Sequence, residues 1–115
     1  MRNTIKKHID FIQADGDLSI SNRFFLVRVK KAKIPDDPRY GLIVTKKTFK
    51  HAVDRNRAKR MIRDWLRFNE QYLEDDLDYI FIIRHAILGA LREEGRAEMK
   101  KALKYIKKQK LGKSE

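Results

Sequence analysis

The sequence predicts an α+β fold in the order α-β-β-β-α-β-α, with a four-stranded sheet covered by helices. Three stretches carry this expectation. From Arg23 to Lys31, Phe25, Val27 and Val29 alternate with Phe24, Leu26, Arg28 and Lys30, the period of a strand with one face in a core. Tyr79 to Ile83 is an unbroken apolar run, as in a strand buried on both sides. Between them, Ala58, Met61, Ile62, Trp65, Leu66 and Phe68 recur at helical pitch, which makes an amphipathic helix. A length of 115 residues suits one domain, with an ordered core over about 8–108.

Taken in order, residues 1–7 are basic and read as a loose end. His8 to Ala14 forms a short helix with Ile9, Phe11 and Ile12 as its apolar side, and Gly16 stops it. Leu18 to Ile20 is a short strand and Arg23 to Lys31 a longer one. The outer face of that longer strand is part apolar and part cationic, a combination that stacks bases and holds phosphates together. Ile34 to Pro38 contains both prolines of the chain and forms a loop between antiparallel strands. Tyr40 to Thr45 is the next strand. Lys46 to His51 leads into a helix over Ala52 to Tyr72. Glu74 to Asp78 is an acidic connector and Asp78 to Arg84 the last strand. Leu91 to Lys108 closes the chain as a helix with Met99, Ala102, Leu103 and Ile106 as its stripe, weakened near its start by Gly95. The tail after it frays. The strands on either side of the basic helix are expected to be parallel partners joined by a crossover, which general topology makes right-handed.

The charge is concentrated. Lys46, Lys47, Lys50, Arg55, Arg57, Lys59, Arg60, Arg63 and Arg67 stand against Asp54 and Asp64 alone, so 22 residues hold seven of the chain's twelve net positive charges. Lys59, Arg60, Arg63 and Arg67 fall opposite the apolar stripe. A merely solvated helix face would mix signs for i,i+4 support; this one has almost no acid. It is best explained by a polyanion that neutralises it. A basic surface also suits anionic lipid, but no stretch is apolar for long enough to span a membrane. The first residues do not lead into a signal-peptide apolar block. The absence of cysteine excludes disulfides and Cys-ligated zinc. These features predict a soluble cytoplasmic protein without a membrane partner.

No catalytic constellation is visible. His8, His51 and His85 lie in separate segments, and a metal-free nuclease would pair a His with Lys or a second His. The connector acids have no distant partner to complete a coordination shell, so neither a catalytic residue nor a metal site is expected in this chain.

Arg55-Asn56-Arg57-Ala58-Lys59-Arg60 resembles the RNR signature, R-N-R-x-K-R, of the protein subunit of bacterial ribonuclease P. The frame fits as well, with Gly41-Leu42-Ile43-Val44-Thr45-Lys46-Lys47 before it and Asp78-Tyr79-Ile80-Phe81-Ile82-Ile83-Arg84 after it. The similarity covers roughly residues 8–108. It implies a two-layer α/β sandwich like a domain of ribosomal protein S5, with a left-handed β-α-β crossover that pattern alone does not give. It also implies a division of labour. The RNA subunit cuts precursor tRNA with bound Mg²⁺, while the protein holds that RNA and the 5′ leader of the substrate, with no cofactor of its own and no further protein partner. The RNA-binding set is then Lys46, Lys47, Lys50, Arg55, Asn56, Arg57, Lys59, Arg60, Arg63 and Arg67. Asn56 is suited to reading a base edge, which charge alone does not do. The leader cleft is Phe11, Phe24, Leu26, Arg28 and Lys30. The chain departs from the family in having Arg28 where Tyr is usual, and its loop resembles the family variant with no glycine between the Lys pair and Ala52. A ribosomal or other structural RNA-binding protein of the same sandwich is an alternative. So is a DNA-binding module, although that would normally need a dimer or a helix-turn-helix partner.

Overall fold

The computed structural model describes residues 3–4, 18–32 and 39–113, with side chains through residue 109. The expected first helix with Phe11, and the proline loop, lie outside the described residues. Five strands form one sheet: β1 (Asn3–Thr4), β2 (Leu18–Ser21), β3 (Phe25–Lys31), β4 (Arg39–Ile43) and β5 (Leu77–Ile83). Their spatial order is β1-β4-β5-β3-β2. β2 to β5 are the four strands expected. Asn3–Thr4, read as part of a loose end, instead adds two residues parallel to β4 at the sheet edge.

β5 is central. It pairs parallel with β4 and antiparallel with β3, and β3 pairs antiparallel with β2. Helix α1 (Ala52–Phe68) connects β4 to β5, so the parallel pair flanks a helical crossover as predicted. A 3₁₀ segment, His85–Gly89, follows β5 and leads to helix α2 (Arg92–Lys113). This helix runs past the predicted Lys108.

The pleat sorts the side chains. Phe25, Val27 and Val29 lie in register with Ile83, Phe81 and Tyr79, and all six join Tyr40 in one buried cluster. Ala58, Ile62, Trp65 and Leu66 of α1 and Met99, Ala102, Leu103 and Ile106 of α2 complete that cluster from the helix side. Each fully buried large side chain contributes roughly 1.5–3 kcal/mol, so this shared apolar layer is the main force holding helices to sheet. On the other side of the sheet, Leu26 and Arg28 lie opposite Ile82 and Ile80, and Ile43 and Gly41 continue the row on β4.

Two side chains depart from the predicted phases. Phe24 was assigned with Leu26 to the outer face, but it is 1% exposed and its ring packs 5.6 Å from that of Trp65. The cause is local. The Asn22 carboxamide oxygen accepts hydrogen bonds from the backbone N–H groups of Phe24 and Phe25, at 2.8 and 3.0 Å. This turn precedes the strand, so strand alternation does not reach back to Phe24. Phe68, assigned to the apolar stripe, is 55% exposed and lies beneath the Arg96 guanidinium at 4.2 Å.

Helix α1 also ends earlier than Tyr72. Buried Asn69 donates from its side chain to the carbonyls of Trp65 and Arg96, both at 3.0 Å. It thereby adds a side-chain bond at the end of α1 and ties α1 to α2. A 3₁₀ turn, Glu70–Tyr72, follows.

Candidate nucleic-acid interface

The loop before α1 is built around Phe49. That side chain is buried and stacks on His85 with ring centroids 5.5 Å apart. The Phe49 N–H donates to the Thr45 carbonyl at 2.9 Å, and the Thr48 N–H donates to Thr45 Oγ1 at 3.2 Å. Arg55, one turn into α1, reaches back and donates through Nη1 to the carbonyls of Phe49 and Lys50, at 2.9 and 3.3 Å. The loop is thus fastened at its apolar centre and at its end, and Lys46, Lys47 and Lys50 are left exposed. Arg55 was predicted as a phosphate binder; here it is half-buried and holds the loop. Phe49 and His85 were missed as anchors, although an aromatic within a run of lysines is a signal for one.

On α1, Asn56, Arg57, Arg60, Arg63 and Arg67 are exposed, and Lys59 is half-buried on the flank. None of these cations has a carboxylate within ion-pair distance among the described residues, and one of the two acids on α1 is engaged elsewhere. Asp64 accepts from Arg96 Nη2 at 3.0 Å and from Nε at 3.2 Å. The cationic side chains therefore face outward without internal neutralisation, continuous in sequence with the loop lysines.

The second predicted surface is reached from the opposite side of the sheet. Leu26, Arg28 and Lys30 are half-buried there, beside Ile80 and Ile82 of β5. Lys30 lies in register with Asp78, whose carboxylate accepts from the backbone N–H and Nη2 of Arg39 at 2.9 and 3.1 Å. Phe24 does not belong to this surface, because its ring is in the core beneath Trp65. The structure thus brings Leu26, Arg28 and Lys30 together on one face and leaves Phe24 out.

Among the described residues no group of three His, Asp or Glu side chains is placed to hold a metal ion, the acidic connector included. No described helix is long and apolar enough to cross a membrane.

A sequence profile of the Ribonuclease P family matches residues 1–107. The ribonuclease P protein component of Chromobacterium violaceum is 42% identical over 86 residues, which are 75% of this chain and 66% of that protein. That of a Marinomonas strain is 48% identical over 63 residues, 55% of this chain and 46% of that protein. The matched stretches therefore span two thirds or less of these relatives. Among solved structures, the RNase P protein of Staphylococcus aureus superimposes with a TM-score of 0.76 at 30% identity, covering 93% of this chain and 97% of that one. The RNase P protein of Thermotoga maritima does so with a TM-score of 0.59 at 26% identity, over 75% and 84%. Profile, sequence relatives and backbone agree: the chain belongs to the Ribonuclease P family.

Proposed function

We propose that this chain is the single-domain protein component of a ribonuclease P ribonucleoprotein, acting with a catalytic RNA in the 5′ maturation of tRNA in the cytoplasm. The exposed cations of α1 with the loop lysines bind the RNA subunit. The sheet face with Leu26, Arg28 and Lys30 receives the 5′ leader of precursor tRNA, with Phe11 of the segment before β2 as its aromatic contact. Cleavage belongs to the RNA and its Mg²⁺. The single observation that carries this reading is the row Arg60, Arg63 and Arg67, exposed and without acidic partners among the described residues, in a chain of the Ribonuclease P family.

The direct test is reconstitution. Purified, RNA-free protein leaves precursor tRNA intact, whereas adding it to a bacterial ribonuclease P RNA lowers the Mg²⁺ needed for cleavage. Robust cutting by the protein alone would overturn the assignment. Sequencing the RNA that co-purifies with the protein separates it from a ribosomal RNA binder.

Salt tests the charge argument separately. Each phosphate contact releases counterions and contributes roughly −0.7 to −0.9 to the slope of log affinity against log salt. Arg60→Ala and Arg63→Ala each make that slope shallower by about 1 and weaken binding across RNA sequences alike. Asn56→Ala removes no charge, so it lowers affinity or discrimination at an unchanged slope. Wild-type slopes for both arginine variants would mean that these side chains do not meet phosphate.

A further inference from the structure

A groove of about 350 Å³ runs between α1 and the start of α2. Met61, Ala90 and Trp65 give it an apolar floor, and Arg57, Arg60 and Arg92 are the cations of its lining. The single acid in the lining, Asp64, is already held by two hydrogen bonds from Arg96. The lining therefore combines three cations with an apolar part. Arg57 and Arg60 belong to the α1 set; Arg92 lies 32 positions beyond Arg60 in sequence and reaches the groove only through the packing of α2 against α1.

That packing is close. Gly95 lies directly against the Trp65 ring, and Asn69 bridges the two helices. The positions of Arg92 and of Ala90, in the short connector before α2, are thus tied to α1. Leu91, between the lining residues Ala90 and Arg92, is 70% exposed at the rim, an apolar side chain left without cover.

A phosphate alone would need the cations and no floor. A base alone would need the floor and no cations. The combination fits a nucleotide unit: phosphate against the guanidinium groups, and an unstacked base against Met61, Ala90 and the planar arginines, which stack on bases as well as pair with phosphate. The volume is in the range of small-ligand sites. The groove lies in the helix layer and shares Arg57 and Arg60 with the surface assigned to the catalytic RNA. We propose that it receives one unpaired nucleotide of the ribonuclease P RNA, with Arg92 as a phosphate contact outside the RNR signature. This rests on the proposed function for its partner.

Two variants and a footprint test it. Arg92→Ala changes an exposed side chain; it is expected to lower affinity for the ribonuclease P RNA about tenfold and to make the salt slope shallower by about 1. Ala90→Trp fills the groove without altering charge, so it lowers affinity at an unchanged slope. Base-specific chemical probing of the RNA shows one unpaired nucleotide protected by the wild type and reactive again with either variant. Thermal melting of the free proteins accompanies both; if Ala90→Trp melts early, Arg92→Ala and the footprint decide. Wild-type affinity and slope for Arg92→Ala, or no nucleotide that loses protection, overturns the groove assignment while the Arg60→Ala effect keeps the proposed function standing. Absence of salt-dependent RNA binding by the wild type itself overturns the proposed function, and the groove assignment with it.

Discussion

Gly95→Ala is expected to destabilise the protein by about 1–2 kcal/mol, although the same change in an exposed helix would stabilise it. A glycine inside a helix costs roughly 1 kcal/mol relative to alanine, so propensity alone predicts a gain. Packing reverses the sign. A Cβ at this position would lie 2.0 Å from Cε2 and Cζ2 of Trp65 and 2.6 Å from its Cη2, distances that no packed structure accommodates without movement. The indole cannot swing away, because it is fully buried and meets Phe24 on another side. Either α2 lifts off α1 or the core opens beneath it, and overpacking of this kind costs roughly 1–3 kcal/mol, at times more. Thermal and urea unfolding would report the loss as a lower midpoint, by about 4–8 °C per kcal/mol for a domain near this size. Shrinking the indole in the Gly95→Ala background, as in Gly95→Ala with Trp65→Leu, should give a double mutant less damaged than the sum of its singles. A variant as stable as the wild type would mean that the helices are not in contact at this point.

Asp78→Ala is expected to cost more, about 3–5 kcal/mol, because it breaks a buried ion pair from one side. Only 4% of the Asp78 side chain and 12% of that of Arg39 are exposed. The carboxylate accepts from both the backbone and the guanidinium of Arg39, so its removal leaves a largely buried cation without this counter-charge and takes two hydrogen bonds from the first residue of β4. Asp78→Asn keeps the shape and an acceptor for the Arg39 N–H, and should lose less. Glu70, exposed in the 3₁₀ turn before the connector, provides the control: its replacement by Ala is expected to stay within about 0.5 kcal/mol. Chemical denaturation of the three variants at neutral pH checks the order; equal midpoints for Asp78→Ala and Glu70→Ala would show that the Arg39 pair contributes little.

Both effects arise where sequence pattern is weakest. Periodicity marked β3 correctly because Phe25, Val27 and Val29 share one pleated face, and it marked β5 because a central strand is apolar on both sides. The α1 stripe was legible in Ala58, Ile62, Trp65 and Leu66 for the same reason. Pattern gives a side chain's phase within an element and says nothing of its neighbours across elements. Gly95 therefore read as a weak point in a helix, when it is the space into which Trp65 fits. Phe24 was misplaced because a carboxamide two residues earlier turns the chain before the strand begins. Phe68 was misplaced because the last turn of a helix answers to its cap and to Arg96 rather than to the stripe. Of the candidate site, the exposed cations Arg57, Arg60, Arg63 and Arg67 were readable from spacing. The different task of Arg55 was not, since only the folded loop brings two carbonyls within its reach. Arg92 was invisible, being brought to α1 only by the docking of α2.

The Arg55 contacts bear on the timing of association. A loop of free lysines would have to be ordered as the RNA arrives, and fixing the backbone of each residue costs roughly 1–2 kcal/mol in entropy. Here Thr45 to Lys50 is already fastened by Phe49 and the Arg55 guanidinium, so that cost falls on folding and not on encounter. In the proposed function the loop lysines would then act as a preformed electrostatic template: long-range attraction would set the rate at which a polyanion arrives, with no slow conformational step behind it.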